Sequence, residues 1–283
     1  MVAAMAGFAV EDAFIKGASK TLPISEVLVL FGLGGAILFA LIALGSGQRL
    51  TPPEVLSRPM RIRAVFEICG RLFYTLALAL TPLSSATVIL QATPLVVVAG
   101  AALFLGERVG WRRWAAIFIG LAGVLVILQP GAESFAPLSL LAVAGMLGFA
   151  GRDLSSRMAP ASLGTAILGF YGFLALIVAG LLFAVWERAA FLWPDPGTFA
   201  QVGGAVLAGV AAYSCLMMAM RTGEVAAVTP FRYTRLLFGI GLGVLLFGET
   251  VTPPMLLGSA LIVASGIFII ARGRRQARPA SPR

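Results

Sequence analysis

The feature that most constrains this chain is the recurrence of apolar runs of about 18–22 residues, each long enough to cross a bilayer as a helix. Charged residues make up 12% of the 283 residues. Soluble domains typically carry about 25% charged residues, so the share in this chain is about half of that typical value. The sequence also lacks the alternating segments of about 10 residues that build membrane β-barrels. It therefore predicts an all-α polytopic membrane protein.

Turn-forming residues divide the apolar sequence into ten predicted spans. Proline and glycine cluster between the spans, as in "GSGQRLTPPEVLSRP", "QPGAESFAP" and "GETVTPP". Because all connections are short, we predict no inserted soluble domain. The predicted spans are 1–19, 24–44, 62–80, 83–105, 112–129, 137–157, 162–186, 201–220, 225–247 and 253–271.

Lysine and arginine are distributed unevenly between the two sets of connections. Of the 21 such residues, only Lys16, Lys20 and Arg188 fall in connections on the side opposite the N-terminus. Cytoplasmic loops carry the excess of basic residues in membrane proteins. We therefore predict that both termini lie in the cytoplasm, and we expect the membrane to be a bacterial inner membrane. The net charge of +9 then reflects topology, and no nucleic-acid partner is predicted.

The chain contains an internal repeat, which is clearest at two places. The segment "VVVAGAALFLGERVGWRRWAAIFIGLAGVLVIL" aligns with "FGIGLGVLLFGETVTPPMLLGSALIVASGIFII", and this places Glu107 on Glu249. The segment "GFAVEDAFIK" aligns with "GFAGRDLSSR". Periods of this kind indicate a duplicated architecture.

The repeat divides the ten spans into two sets of five. Since five is odd, the second copy enters the membrane from the opposite face, which is the inverted arrangement common in secondary carriers. We predict ten transmembrane helices as two inverted five-helix repeats, at 1–130 and 137–272. A basic cytoplasmic tail follows at 273–283.

The sequence resembles the ten-span drug/metabolite transporter superfamily, in particular its EamA-type members. The resemblance covers nearly the whole chain and rests on "TPLSSATVILQATPLVVVAGAALFLGERVGWRRWAAIFIGLAGVLVILQPG", "TPFRYTRLLFGIGLGVLLFGE" and "LLGSALIVASGIFIIARGR". The Gly-Glu dipeptide that ends the fourth span of each half is a fairly specific part of it. The resemblance implies a secondary carrier of small polar or amphipathic metabolites, often amino acids for export. The alternative it implies is uptake of a vitamin or nucleoside-like compound such as riboflavin or S-adenosylmethionine.

Charged residues within spans are the first candidates for a substrate site, because an ionised group at mid-membrane costs about 2.5–3.5 kcal/mol. Glu67, Arg71 and Tyr74 share one helical face of the third span. We predict that Arg71 binds a substrate carboxylate or pairs with a gating acid. The alternative is a structural pair between Glu67 and Arg71.

The ninth span carries Arg232, Tyr233 and Arg235, next to Pro230, which loosens the first turn. Arg235 lies near mid-depth and is the better ligand candidate, whereas Arg232 is close enough to the cytoplasm to snorkel. Both arginines need anionic partners. The candidates are Glu67, Asp153, Glu224 and an anionic substrate group.

Further polar residues have two interpretations each. Gln91 and Thr87, with Pro94, form either interhelical hydrogen bonds at a kink or a polar cavity wall. Tyr213 is a candidate for the same wall. Glu249 is predicted to pair with a basic group or to cap the helix that follows it.

The first span carries the charged sequence Glu11-Asp12, with Lys16 one turn later, and the repeat aligns these positions with "RDLSSR". The simpler interpretation is an ion pair Asp12–Lys16, with Asp153–Arg157 as its counterpart. The alternative is a pair of matched gates, one at each mouth of a pathway. Glu11 aligns with Arg152, so the repeat does not explain it, and it is a candidate for a role specific to this carrier.

Other function classes are less favoured by the sequence. It contains no histidine and no phosphate-binding Walker loop, which excludes Ser–His and HExxH chemistry and direct use of ATP. An intramembrane Ser–Lys or Asp–Asp enzyme is a remote alternative, and a channel is another. Cys69 and Cys215 lie in spans and are predicted to be small buried residues, so no metal or cofactor is expected.

Alternating access is the predicted mechanism, with a small-molecule substrate and the lipid bilayer as partners. A monomer is compatible with this arrangement. Protons are candidate coupling ions through Glu11, Asp12, Glu67 or Asp153. Facilitated diffusion fits the sequence equally well.

Overall fold

The computed structural model describes residues 1–104, 106, 109–129, 137–158, 160, 162–222 and 229–277. This part of the chain is helical and contains no strand. Each of the ten predicted spans contains a helix. The helices are α1 (Val2–Ala18), α2 (Ile24–Gly45), α3 (Arg58–Leu80), α4 (Leu83–Leu90), α5 (Thr93–Phe104), α6 (Trp111–Leu128), α7 (Leu140–Arg157), α8 (Thr165–Glu187), α9 (Pro196–Thr222), α10 (Arg235–Phe247) and α11 (Pro253–Ala277).

Five helical segments of the described residues are by themselves long and apolar enough to cross a membrane. The remaining helices are shorter or carry charge: α1 has 17 residues and α10 has 13, and α3 contains Glu67 and Arg71. Together with the ten-span pattern, these segments confirm the all-α polytopic membrane fold. The five are Ile24–Gly45, Leu83–Phe104, Trp111–Leu128, Thr165–Glu187 and Pro196–Leu216.

Two spans are interrupted at proline-containing sequences. The fourth span breaks at Gln91 and Ala92, so α4 and α5 are its two parts, and Pro94 lies in the first turn of α5, where its missing N–H costs nothing. The ninth span was predicted as one helix over 225–247. Residues 225–228 lie outside the described part, a 3-10 turn covers Thr229–Thr234, and the α-helix begins only at Arg235.

Other boundaries differ because polar residues extend the helices. The helix α9 begins at Pro196, before the predicted start at 201, because Asp195 caps it. The Oδ1 atom of Asp195 accepts hydrogen bonds from the amides of Gly197 (2.9 Å) and Thr198 (3.2 Å). The hydroxyl of Thr198 also donates to this carboxylate, and these bonds hold the pKa of Asp195 below its usual value.

The helices of the first half pack against those of the second. The main pairs are α1 with α9, α3 with α7, α2 with α8 and α6 with α11. A Cβ atom at Gly32 would lie 2.9 Å from the Ile177 nitrogen, and one at Gly180 would lie 2.7 Å from the Ser25 carbonyl oxygen, so α2 and α8 run antiparallel. When each helix is replaced by its counterpart in the other half, the pair α1–α9 becomes α7–α3, and the pairs α2–α8 and α6–α11 are unchanged.

The alternation of helix direction defines two faces of the bundle. We call the face where α1 begins the N-terminal face, and the face where α1 ends the Lys16 face. The C-terminal end of α3 and the N-terminal end of α4 lie on the Lys16 face, since both contact Lys16 or its partner Glu249.

The cysteines differ in their surroundings. Cys69 is exposed on α3 and Cys215 is half-buried on α9, and both are free thiols. The prediction that both are buried is therefore wrong for Cys69. Its helix turns Glu67 and Gly70 into the bundle, which leaves position 69 on the outer surface.

The α3–α7 contact depends on glycine at its closest point. A Cβ atom added at Gly148 would lie 2.4 Å from the Gly70 Cα atom and 2.5 Å from its nitrogen, closer than any real packing allows. Both atoms belong to backbone, so no side-chain movement relieves the clash. The absence of a side chain at position 148 is what lets α3 and α7 touch.

We expect Gly148→Val to destabilise the folded protein, by about 1–3 kcal/mol or more, because overpacking forces the two helices apart. The measurement is the thermal stability of the purified protein in detergent. The matched control is Gly203→Ala in α9, where a Cβ atom meets no heavy atom within 4 Å. That control is expected to leave stability unchanged or raise it by up to about 1 kcal/mol, since alanine favours helix. Equal stability of the two variants contradicts the packing argument.

Candidate functional site

A cavity of about 370 Å³ lies inside the bundle, between helices of both halves. Five arginines and one acid supply its charged lining: Arg63, Arg71, Arg152, Arg232, Arg235 and Asp153. Aromatic side chains form much of the rest, namely Phe8, Tyr74, Phe149, Tyr213 and Tyr233. Charge of this density inside a membrane bundle is costly, and it marks the cavity as the candidate functional site.

The first group of charges joins α1 to α3 and α10. Neighbouring residues of a helix point about 100° apart, so Glu11 and Asp12 reach different partners. The Nη1 atom of Arg71 donates to Glu11 Oε1 at 2.8 Å, and Arg235 Nη2 donates to Asp12 Oδ2. The Tyr74 hydroxyl also donates to Asp12 Oδ2, at 3.1 Å. Both acids are only 1% exposed and lie behind the arginines.

The second group lies between α3 and α7. Glu67 accepts hydrogen bonds from Arg63 and Arg152, each at 3.2 Å. Arg152 also binds Asp153 with two nitrogens, at 2.8 and 2.9 Å. Arg232 lies 3.5 Å from the other oxygen of Asp153, so this group links α3, α7 and the turn before α10.

These contacts bear on the two interpretations of Arg71. Its Nε atom lies 3.9 Å from Glu67 Oε1, which is an ion-pair distance without a hydrogen bond. Its one short hydrogen bond goes to Glu11. A gating or positioning acid on another helix therefore fits Arg71 better than a structural pair within α3.

The predicted pair Asp12–Lys16 is wrong. Asp12 pairs with Arg235, whereas Lys16 Nζ donates to the carbonyl oxygens of Leu78 at 2.9 Å and Thr81 at 2.5 Å. The last carbonyls of a helix lack partners within it and carry partial negative charge. The C-terminal end of α3 therefore attracts the ammonium group more effectively than Asp12 does.

For the predicted counterpart pair Asp153–Arg157, the structure describes the side chain of Asp153 alone. Asp153 binds Arg152 and Arg232. The side chain of Arg157 lies outside the described residues, so its pairing stays a prediction. Glu224, once a candidate partner for the arginines of the ninth span, also lies outside them.

Glu249, which follows α10, binds the start of α4 and lies near Lys16 of α1 on the Lys16 face. Its Oε1 atom accepts the Leu83 amide at 2.6 Å and lies 4.0 Å from Lys16 Nζ. Its Oε2 atom accepts the amide of Ser84 at 2.9 Å and the hydroxyl of Ser84 at 2.6 Å. Glu249 thus pairs with a basic group as predicted, but it caps α4 rather than the following helix α11. We call Lys16, Glu249 and the backbone atoms they bind the Lys16–Glu249 latch.

Polar residues of the fourth span divide between the two predicted roles. Gln91 lines the cavity and donates from Nε2 to the Arg232 carbonyl at 2.9 Å, which fixes the 3-10 turn before α10. Pro94 lines the cavity as well. Thr87 instead packs against Gly239 of α10, where a Cβ atom would lie 2.4 Å from its methyl group.

Most of the residues selected from the sequence meet at the cavity. Glu11, Asp12 and Glu67 stand behind its arginines, and Lys16 lies in the latch. Those that line the cavity are Arg71, Tyr74, Gln91, Asp153, Tyr213, Arg232, Tyr233 and Arg235.

Two charged residues of the cavity wall, Arg63 and Arg152, were not selected from the sequence. Arg63 was assigned to a connection near the start of the third span, but α3 begins at Arg58 and buries Arg63 to 4% exposure. The signal was its spacing, since it lies one turn before Glu67 on the same face. Arg152 was noted as an arginine within a span and as the residue aligned with Glu11, but it was not selected for the site, although it lies beside Asp153.

Comparison with known proteins adds a family and several relatives. The chain matches the EamA-like transporter family over residues 1–129 and 137–271. A riboflavin transporter of Rhizobium johnstonii is 31% identical over 224 residues, which cover 77% of this chain and 72% of that protein. A pseudopaline exporter of Pseudomonas aeruginosa is 29% identical over 275 residues, covering 93% of this chain and 89% of that protein.

Two further comparisons agree with these. An S-adenosylmethionine uptake transporter of Rickettsia bellii is 26% identical over 211 residues, covering 74% of this chain and 71% of that protein. A solved crystal structure is similar with a TM-score of 0.62 and 21% identity, and the match covers 95% of this chain and 98% of the other. At that identity the structural likeness supports the fold alone.

Proposed function

Since this chain belongs to the EamA-like transporter family, we propose that it is a secondary transporter that moves small polar or amphipathic metabolites by alternating access. The observation that carries the proposal is the central cavity, whose wall holds five arginines within a membrane bundle. Ionised groups at this depth are costly and generally mark a substrate or ion pathway. The relatives named above are transporters, which argues against an intramembrane enzyme.

The pairing of helices between the halves supports alternating access. An inverted repeat has its two-fold axis in the membrane plane, and each helix that meets its own counterpart across that axis must run antiparallel to it. The helices α2 and α8 meet in this way, and so do α6 and α11, in which Gly120 lies by Ser265 and Ile127 by Gly258. We propose that the two inverted repeats rock about the cavity.

The Lys16–Glu249 latch supports a conformation closed on one side. It ties the ends of α1, α3 and α4 to the loop after α10. The cavity residues Met5, Phe8, Leu216 and Ile269 instead come from the parts of α1, α9 and α11 near the N-terminal face. With both termini cytoplasmic in a bacterial inner membrane, as we propose, this conformation faces inward.

The repeat suggests a second latch on the other side. Glu107 occupies the position equivalent to Glu249, and Arg157 the position equivalent to Lys16. We propose that these two residues close the N-terminal face when the Lys16–Glu249 latch opens. Glu107 and the side chain of Arg157 lie outside the described residues, so this part rests on the sequence alignment.

The substrate and the direction of transport are inferred from the resemblance and from the relatives. The resemblance of the sequence favours export of amino acids, and the exporter from Pseudomonas aeruginosa matches over the largest part of the chain among the relatives named. The alternative is uptake of a vitamin or nucleoside-like metabolite, in keeping with the riboflavin and S-adenosylmethionine transporters. Amino acid export is our first proposal.

Counterflow in proteoliposomes tests the proposed function. We expect vesicles preloaded with an unlabelled substrate to accumulate the labelled one saturably, and vesicles without protein to show none. The panel comprises amino acids, riboflavin and S-adenosylmethionine. An ohmic current without saturation contradicts a carrier, and conversion of the compound contradicts transport without chemistry. The same assay under an imposed pH gradient tests proton coupling through Glu11, Asp12, Glu67 or Asp153. A flux that does not change with the gradient excludes protons as the coupling ion.

A further inference from the structure

We propose that the cavity binds its substrate by a carboxylate held against Arg71 and Arg235, so that the transported compounds carry one carboxylate on an apolar or aromatic body. This inference rests on the proposed function, because it takes the cavity as the substrate site. It goes further in naming which part of the substrate is recognised. It also predicts that an ammonium group is not required.

The distribution of charge around the cavity favours an anion. Five guanidinium groups and one carboxylate, that of Asp153, line it. The other acids of the cluster, Glu11, Asp12 and Glu67, are at most 3% exposed and are not part of the lining. A ligand in the cavity therefore meets a mostly cationic wall in a medium of low dielectric constant, where charge attraction is strong.

The hydrogen bonds of the arginines identify which of them have donors to spare. Arg152 uses all three nitrogens on Glu67 and Asp153. Arg63 donates to Ser156, Glu67 and the Leu168 carbonyl. A guanidinium group has five N–H donors in a planar fork, so these two arginines are largely engaged by the protein.

Arg71 and Arg235 are engaged much less. Each donates one hydrogen bond, from a single terminal nitrogen, to one acid on α1. The Nε atom of each is buried and has no hydrogen-bond partner among the described residues. Both line the cavity. A carboxylate from a ligand supplies acceptors for the remaining terminal N–H groups of both arginines without displacing Glu11 or Asp12.

Each of the two arginines lies beside one ring of an aromatic pair. The guanidinium of Arg71 is 5.5 Å from the Phe149 ring centre, and that of Arg235 is 5.9 Å from the Tyr74 ring centre. The two rings are themselves 5.7 Å apart, edge to face. A carboxylate between the arginines thus rests beside aromatic surface, which suits an apolar or aromatic substrate body.

The size and the remaining charges limit the ligand further. A cavity of about 370 Å³ is near the lower end of the range of roughly 300–1,000 Å³ for small-molecule sites. The one acid on its wall among the described residues, Asp153, is already bound by Arg152 and lies 3.5 Å from Arg232. The described lining therefore offers an ammonium group no uncommitted carboxylate, and recognition is not expected to depend on one.

Matched acids and amides test the proposal on the purified wild-type protein. The probes are 3-phenylpropionate, indole-3-acetate and hexanoate, each beside its primary amide, with sodium chloride to hold ionic strength constant. We expect at least one acid to raise the melting temperature saturably, and its amide to need at least a tenfold higher concentration. An amide as effective as its acid overturns the proposal, and so does the absence of saturable stabilisation by all three acids.

Two variants localise the effect. We expect the double variant Glu11→Gln/Arg71→Gln, which replaces the ion pair by amides that can still hydrogen-bond, to bind the acid at least tenfold more weakly. Arg235→Lys is expected to weaken it as well, because an ammonium lacks the planar fork. The control is Arg61→Gln, an exposed arginine at the start of α3, which is expected to bind as the wild type does. Unchanged binding in both cavity variants overturns the assignment to Arg71 and Arg235.

Transport separates this proposal from the proposed function. Saturable counterflow of an amide as fast as its acid leaves the carrier intact and overturns carboxylate recognition. If an acid stabilises the protein but no acid shows counterflow, carboxylate recognition is retained. The proposed transport of those compounds is then contradicted.

Discussion

Replacement of Arg235 by alanine is expected to abolish counterflow and to lower the stability of the folded protein by about 3–5 kcal/mol, the usual cost of removing one partner of a buried ion pair. Within the described part of the chain, the loss leaves Asp12, which is 1% exposed, with the Tyr74 hydroxyl as its remaining partner. The measurements are counterflow in proteoliposomes and thermal unfolding of the same preparation. Because instability alone can stop transport, the single variant needs a second one beside it.

The double variant Asp12→Asn/Arg235→Gln separates loss of transport from loss of stability. It removes both charges and leaves neutral groups able to hydrogen-bond, so we expect it to recover most of the stability but none of the transport. Arg61→Ala, on the exposed start of α3, is the control for loss of an arginine elsewhere. If Arg235→Ala keeps both the affinity and the rate of the wild type, the central site is wrongly assigned.

Replacement of Glu249 by glutamine is expected to open the Lys16 face. The carboxylate accepts three hydrogen bonds at the start of α4 and lies 4.0 Å from Lys16. Hydrogen bonds to a charged group contribute about 1.5–3 kcal/mol each, so loss of the charge shifts the equilibrium at least tenfold. The substitution leaves the volume of the side chain nearly unchanged.

A cysteine at Ile15, which is 2% exposed between the cavity and the Lys16 face, reports the opening. In a background with Cys69 and Cys215 replaced by serine, we expect a membrane-impermeant maleimide to label it at least ten times faster when Glu249 is glutamine. Glu54→Gln, in the 3-10 turn Pro53–Leu56 on the other face, is the matched control. Equal labelling of both variants contradicts the role of the latch.

The fold was largely predictable because the membrane sets the length of its elements. A run of about 20 apolar residues has few alternatives to a spanning helix, and each predicted span contains one. Boundaries were less certain where charge or proline interrupts the run. The start of α3 was placed four residues late because Arg58 and Arg61 resemble a connection, and the helix of the ninth span begins only at Arg235.

The site was predictable by residue type but not by partner. Costly charges inside spans must be paired, and this principle identified Arg71, Arg235 and Glu11 as members of the site. It does not say which charges pair. Lys16 is one turn from Asp12 in sequence, yet Asp12 pairs with Arg235, more than two hundred residues away. Only the packing of α1 against α10 decides that, and no single helix contains the information.

The adjacent acids of α1 also have a mechanical consequence. Glu11 forms an ion pair with α3 in the first half of the chain, and Asp12 forms one with α10 in the second half. These two positions are one residue apart on a stiff rod, so α1 cannot follow both halves when they turn relative to each other. If the two repeats rock as proposed, one of these two ion pairs must break in each reorientation, and α1 then moves with the half to which it stays paired.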